Sequence, residues 1–224
     1  MDPLRVSALR QGLAGTELLA ATRAFAGSLR GAVTRRSARG LLLVGSDGYE
    51  PWHLAAHLDE EAAWSDLPLL APTLIRHRPE DGGPAVGGSG PEGALPLGTV
   101  PAVAPPAATP PPHLRHGLPR LAAAGRGETV LVVSPQAAGA GLLERLADAR
   151  RGGATVLALA ADDRADDGEL TALAHRSLTV DSAAAPEFDL VQHLVSAAAG
   201  EQPRRTDRLA RLVARFTTEP VNRW

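Results

Sequence analysis

The 224-residue sequence contains no cysteine. That single absence excludes disulfides, thiolate zinc sites and cysteine nucleophiles together. Lysine is missing as well, so all 23 strongly basic side chains are arginine. Alanine is abundant beside them, a compositional bias that weakens any argument from alanine's helix propensity. Neither sign of charge dominates: the formal net charge is -2, so no global field draws the chain to nucleic acid or an anionic membrane. Aromatics make up 3% of residues. No apolar run approaches the roughly 18 residues of a membrane span, and the first residues, "MDPLRVSALRQG", are charged. The expected location is therefore the cytoplasm, with no membrane partner.

What is present reads as an α/β chain. A domain of this length buries roughly 70–75% of its unfolded surface, so it needs neither metal nor disulfide to hold together. Residues 3–37 have helical spacing, with Leu18, Phe25, Leu29 and Val33 on one face. Gly12 and Gly15 are expected to interrupt that run. "GLLLVGSDG" (40–48) is a short continuous apolar run closed by turn residues, the pattern of a strand buried on both faces. A helix over 51–64 and a strand over 71–77 follow.

Residues 79–112 are about half proline and glycine. Such a segment cannot offset its ordering entropy by burial, and the reading makes it a disordered insertion between the second and third strands. Beyond it, strands at 128–134, 154–161 and 177–181 alternate with helices at 139–153, 167–176 and 186–200. Leu142, Leu143, Leu146 and Ala149 face inward on the first of these, and Gly200 is read as a C′ glycine. This alternation predicts right-handed βαβ units and a parallel sheet.

The phrase "GRGETVLVVSPQAAGAGLLERLADARRGGATVLALA" resembles the core of the sugar isomerase (SIS) domain family. There a Gly-Asp pair opens a strand ending in Ser-x-Ser-Gly-x-Thr. Gly127-Glu128, Ser134, Gly153-Ala154-Thr155-Val156 and "LTALAHRSLTV" (170–180) fit that order. The resemblance covers roughly 40–76 and 113–200. It implies a three-layer, flavodoxin-like fold with a five-stranded parallel sheet between helices, usually in dimers. It also implies recognition of phosphosugars by hydroxyls and loop amides beyond the strand ends.

The signature itself departs from the family. With Ser134 at the first family Ser, Gln136 stands at the second, Ala137 at the Gly and Gly139 at the Thr, so one of three hydroxyls survives. The first turn, "VGSDGYE", keeps Gly45 and presents Asp47, which repels phosphate. The expected ligand site is Gly45, Ser46, Asp47, Ser134, Gln136 and Gly139, a cradle with much of its phosphate chemistry removed and suited to sugar hydroxyls.

Other constellations carry less. His53 and His57 lie four apart, but a zincin helix needs Glu after the first His, and Leu54 is there. Glu187 and His193 sit six apart, off one another's face, and no motif gives them a catalytic role. Ser134 lacks a nucleophile elbow. The tail "PRRTDRLARLVARF" (203–216) has an apolar stripe of Leu209, Leu212, Val213 and Phe216 beside an arginine stripe without interleaved aromatics, so nucleic acid is not expected.

The chain thus divides into a helical segment (1–40), an SIS-like α/β domain (41–200) and a C-terminal amphipathic helix with its tail (201–224). The expected function is non-catalytic binding of a carbohydrate derivative in a homodimer, with no cofactor and no metal. The alternatives are an active phosphosugar isomerase and a ligand-free oligomerisation module.

Overall fold

In the computed structural model, residues 16–77, 116–161, 168–180 and 188–201 are described. The insertion 79–112, Gly12 and Gly15, Glu187 and the tail helix 203–216 lie outside them.

Strands β1 (Gly40–Gly45), β2 (Pro72–Arg76), β3 (His116–Gly117), β4 (Glu128–Ser134), β5 (Thr155–Ala161) and β6 (Arg176–Val180) form one sheet in the order β3-β2-β1-β4-β5-β6. Every neighbouring pair is parallel. The five-strand expectation is corrected to six, because β3 is two residues long and shows no periodicity in sequence. Without it the order is the 2-1-3-4-5 of flavodoxin-like sheets.

The continuous apolar runs serve two cores at once, because successive strand side chains point to opposite faces. Leu41, Leu43, Leu131, Val133, Leu157 and Leu159 meet one layer, helices α1 (Glu17–Val33), α2 (Trp52–Trp64) and α6 (Phe188–Gly200). Leu42, Val44, Val130, Val132, Val156 and Ala158 meet the other, α3 (Leu118–Ala122), α4 (Ala140–Arg151) and α5 (Gly168–Leu173).

Several boundaries differ from the sequence reading. Helix α1 starts at Glu17, where the Thr16 hydroxyl accepts from the Leu19 amide at 3.3 Å. It buries Leu19 rather than Leu18. Helix α4 buries Leu142, Leu146 and Ala149, whereas Leu143 is only half-buried. Helix α5 stops at Leu173 because His175 already pairs with β5: its amide donates to Val156 O (2.8 Å), and its Nδ1 accepts from Val156 N (3.0 Å). Gly200 is the last residue of α6 rather than a residue past its end. Its carbonyl and that of Ala199 accept from Arg30 Nη1 at 3.0 and 2.8 Å, so an arginine from α1 closes the helix.

At the N-terminal edge of β4, Glu128 accepts from Arg120 and from the Gly125 amide (2.9 Å). Burial alone would push its carboxyl up; the Arg120 guanidinium, the Gly125 amide and Arg39 outweigh that and hold it below the ordinary 4.5. Glu128 therefore ties down the end of the sheet opposite the candidate site.

Candidate functional site

In an open parallel sheet, helices leave in opposite directions from two adjacent strands at the switch point, and a crevice opens beyond their C-terminal ends. Here those strands are β1 and β4, paired from Gly40↔Glu128 to Gly45↔Val133. The loops after Gly45 and Ser134 therefore start side by side. The Ser46 amide extends the ladder by donating to Val133 O at 3.2 Å.

The first loop turns back within four residues, with the Tyr49 amide donating to Ser46 O at 3.0 Å. A Cβ on Gly45 would collide with the Tyr49 carbonyl oxygen and lie 2.9 Å from Pro51 Cδ. The glycine is required by that close approach. Ser46 is buried at 1% exposure, and its hydroxyl has no hydrogen-bond partner. Asp47 is exposed, with Oδ1 3.5 Å from His77 Nδ1. His77, at the end of β2, donates from Nε2 to the Gly45 carbonyl at 2.9 Å.

In the second loop Ser134 is fully buried, and its hydroxyl donates to the Gln136 carbonyl. Gln136 is exposed, and its Oε1 lies 3.4 Å from where a Gly48 Cβ would stand, so the two loops meet. Gly139 is the N-cap of α4, has no side-chain cap, and has open space where a Cβ would go. Of the six expected residues, Asp47, Gln136 and Gly139 are exposed, while the Ser46 and Ser134 hydroxyls are enclosed.

The structure adds groups that the sequence reading did not join to these. Gln192 of α6, 1% exposed, donates from Nε2 to the Tyr49 phenol (2.7 Å) and to Asp189 Oδ1 (2.9 Å). The phenol in turn donates to Asp189 Oδ1 at 3.2 Å. Burial pushes the Tyr49 phenol above its ordinary 10.0; the Asp189 charge adds to the rise, and the Gln192 hydrogen bond opposes it. The phenol stays protonated at neutral pH. The one available signal was Gln192 itself, an amide set among the buried Val191, Leu194 and Val195. The remaining wall is charge-balanced, since Arg76 Nε donates to Glu50 at 2.9 and 3.2 Å and its guanidinium lies 5.3 Å over Trp52.

One helical turn further along α2 and α6, three imidazoles gather. The His57 and His193 ring centroids are 4.3 Å apart, and His53 is 6.1 Å from each. The Nδ1 atoms of His57 and His193 are buried without hydrogen bonds, although Glu60 Oε2 stands 3.5 Å from His57 Nδ1. Burial first, then the neighbouring His57 and His53, lower the His193 pKa from 6.5 against the pull of Asp189. Among the described residues no group of three His, Cys, Asp or Glu has the arrangement to hold a metal ion.

No protein-family model matches the sequence, and no curated protein matches it. Solved structures match distantly. A candidate sugar-binding protein from Salmonella typhimurium LT2 has a TM-score of 0.44 at 18% identity, over 95% of this chain and 51% of that one. The C-terminal domain of glucosamine-fructose-6-phosphate aminotransferase from Francisella tularensis has a TM-score of 0.40 at 13% identity, over 82% and 41%. The chain thus spans about half the length of the first and less of the second. Likeness at this level carries nothing about chemistry. No helix among the described residues is long and apolar enough to cross a membrane.

Proposed function

We propose that this chain is an SIS-like domain that binds a carbohydrate derivative at the β1/β4 switch point without transforming it, in a regulatory or assembly role. The observation that carries the reading is the polarity of the two loops. The carboxylate oxygens of Asp47 are exposed acceptors, whereas the Ser46 and Ser134 hydroxyls, which could donate to an anion, are enclosed. Acceptors of this kind suit sugar hydroxyls and repel a phosphate dianion. Each lost hydrogen bond to a charged group is worth roughly 1.5–3 kcal/mol, so two missing family hydroxyls weaken phosphate binding by about 10²–10⁴-fold.

Restoration tests this. Gln136→Ser, Ala137→Gly and Gly139→Thr with Asp47→Asn rebuild the family signature. Position 139 has room for a side chain, and threonine is a good N-cap there. Calorimetry against neutral sugars and their phosphates is expected to show the parent favouring the neutral forms and the restored chain gaining phosphosugar affinity. A parent that already binds phosphosugars at micromolar concentration, with no gain on restoration, would overturn the reading.

A second reading, aldose–ketose isomerisation, is favoured by one observation. His57 and His193 bring two imidazoles within 4.3 Å beside the site, and acid–base chemistry uses such groups. A coupled aldose–ketose assay decides between the two. Turnover lost on replacing His193 would establish the enzyme.

A further inference from the structure

Helix α6 lays an apolar face on the sheet, yet one position of that face is an amide. Gln192 is as buried as its neighbours Val191 and Leu194. Both of its N–H bonds are engaged, by the Tyr49 phenol and by Asp189 Oδ1. Its carbonyl oxygen is buried and has no donor. The amide cannot relieve this by rotating, because the oxygen would then face a carboxylate that can only accept. A buried acceptor left without a donor is costly, whereas leucine at the same place would carry no such penalty.

The Ser46 hydroxyl is buried and unpartnered in the same way. It lies at the start of the loop that delivers Tyr49 to the network, the Ser46 carbonyl accepting from the Tyr49 amide. Ser46 and Gln192, each carrying an orphaned polar atom, thus both hydrogen-bond to Tyr49, in the loop that follows β1 at the switch point.

We infer that the Tyr49–Gln192–Asp189 network is the selecting element of the ligand site, with Gln192 Oε1 receiving a hydroxyl of a neutral polyol. The inference rests on the sugar-binding reading and deepens it. An acceptor pinned in place by a carboxylate admits a hydrogen-bond donor and turns away phosphate and carboxylate oxygens, which only accept. Asp47 imposes the same preference two residues before Tyr49 in the same loop. The Tyr49 phenol is protonated at neutral pH, so it accepts from Gln192 and donates to Asp189 in one orientation.

The test couples residue to hydroxyl. The full-length chain, its Gln192→Met variant and its Asp189→Asn variant are titrated calorimetrically with glucose, fructose and ribose, with their single-deoxy analogues, and with inorganic phosphate. Gln192→Met is expected to weaken one sugar by about three- to tenfold, the worth of one neutral hydrogen bond. One deoxy analogue should then bind the parent and Gln192→Met equally, because both halves of one bond have been removed. Equal losses for every deoxy analogue against both proteins would overturn the inference and leave the sugar-binding reading standing. No binding of any sugar to the parent would overturn both. Should Gln192→Met fail to fold, Asp189→Asn at an exposed position decides alone. It releases the amide and is expected to reduce the hydroxyl preference and improve phosphate binding, and an unchanged preference would count against the inference.

Discussion

A Cβ at residue 45 would meet the Tyr49 carbonyl oxygen, because the chain doubles back directly after β1 and brings Tyr49 beneath its own start. Gly45→Ala must therefore displace the loop that carries Ser46, Asp47 and Tyr49. Over-packing of this kind costs about 1–3 kcal/mol. Gly141 is the opposite case: it is exposed, helical and has open space around its absent Cβ. Gly141→Ala is expected to stabilise the chain by about 0.5–1 kcal/mol through the entropy of the unfolded state. Urea unfolding of the two variants should move the midpoint in opposite directions. A Gly45→Ala variant as stable as the parent would mean that Tyr49 is not held where the network needs it.

Elements meet most tellingly at the seam between α2 and α6, where His53 and His57 face His193. Glu60 approaches from α2 and Asp189 from α6; at the far end Arg30 caps α6, and Glu61 packs against Gly200. The folded His193 pKa lies below 6.5, whereas the unfolded chain takes up its proton at the ordinary value. The unfolded state therefore binds more protons in that window, and stability falls as pH drops from about 7 through the folded pKa. Glu128 adds a separate loss below 4.5, where its lowered carboxyl protonates. Unfolding free energies at about pH 7.5 and about pH 5.5 should show the decline in the parent and a flatter response in His193→Gln. A parent equally stable at both values would contradict the seam.

This seam also shows what could be read from residues and what could not. Strands β1, β4 and β5 announce themselves because a run such as Leu41–Val44 serves both cores, and the switch point follows from the order of such runs. Their ends place Ser46 beside Ser134. By contrast, His57 and His193 belong to helices far apart in the chain, and Tyr49, in the loop after β1, is 143 residues from Gln192. Helical periodicity says which face a residue occupies but not which helix will lie against it. Gly200 misled for a long-range reason: Arg30 of α1, 170 residues away, reaches its carbonyl, so the helix needs no left-handed residue past its end.

For the molecule as a whole, the open question is what α2 turns outward. Its inner side is buried through Leu54, Leu58 and Ala62. Trp52 and Trp64 remain 44% and 76% exposed at its two ends, with Ala56 and Ala63 exposed between them beside the charged Asp59 and Glu60. A single exposed tryptophan needs no explanation. Two on one helix, in a chain where aromatics make up 3% of residues, offer the kind of contact that is enriched at interfaces. Closed two-fold assemblies are the commonest oligomers, and in them the same surface patch on two copies meets. The expectation is a homodimer paired through α2. Light scattering across micromolar concentrations should report twice the chain mass, and Trp64→Ser should weaken association by at least about tenfold, the loss typical of a buried aromatic anchor. Tryptophan emission should shift to the red on dilution of the parent and not of the variant. A parent that scatters as a monomer throughout would leave α2 an ordinary solvated helix and remove assembly from the proposed role, with the ligand site untouched.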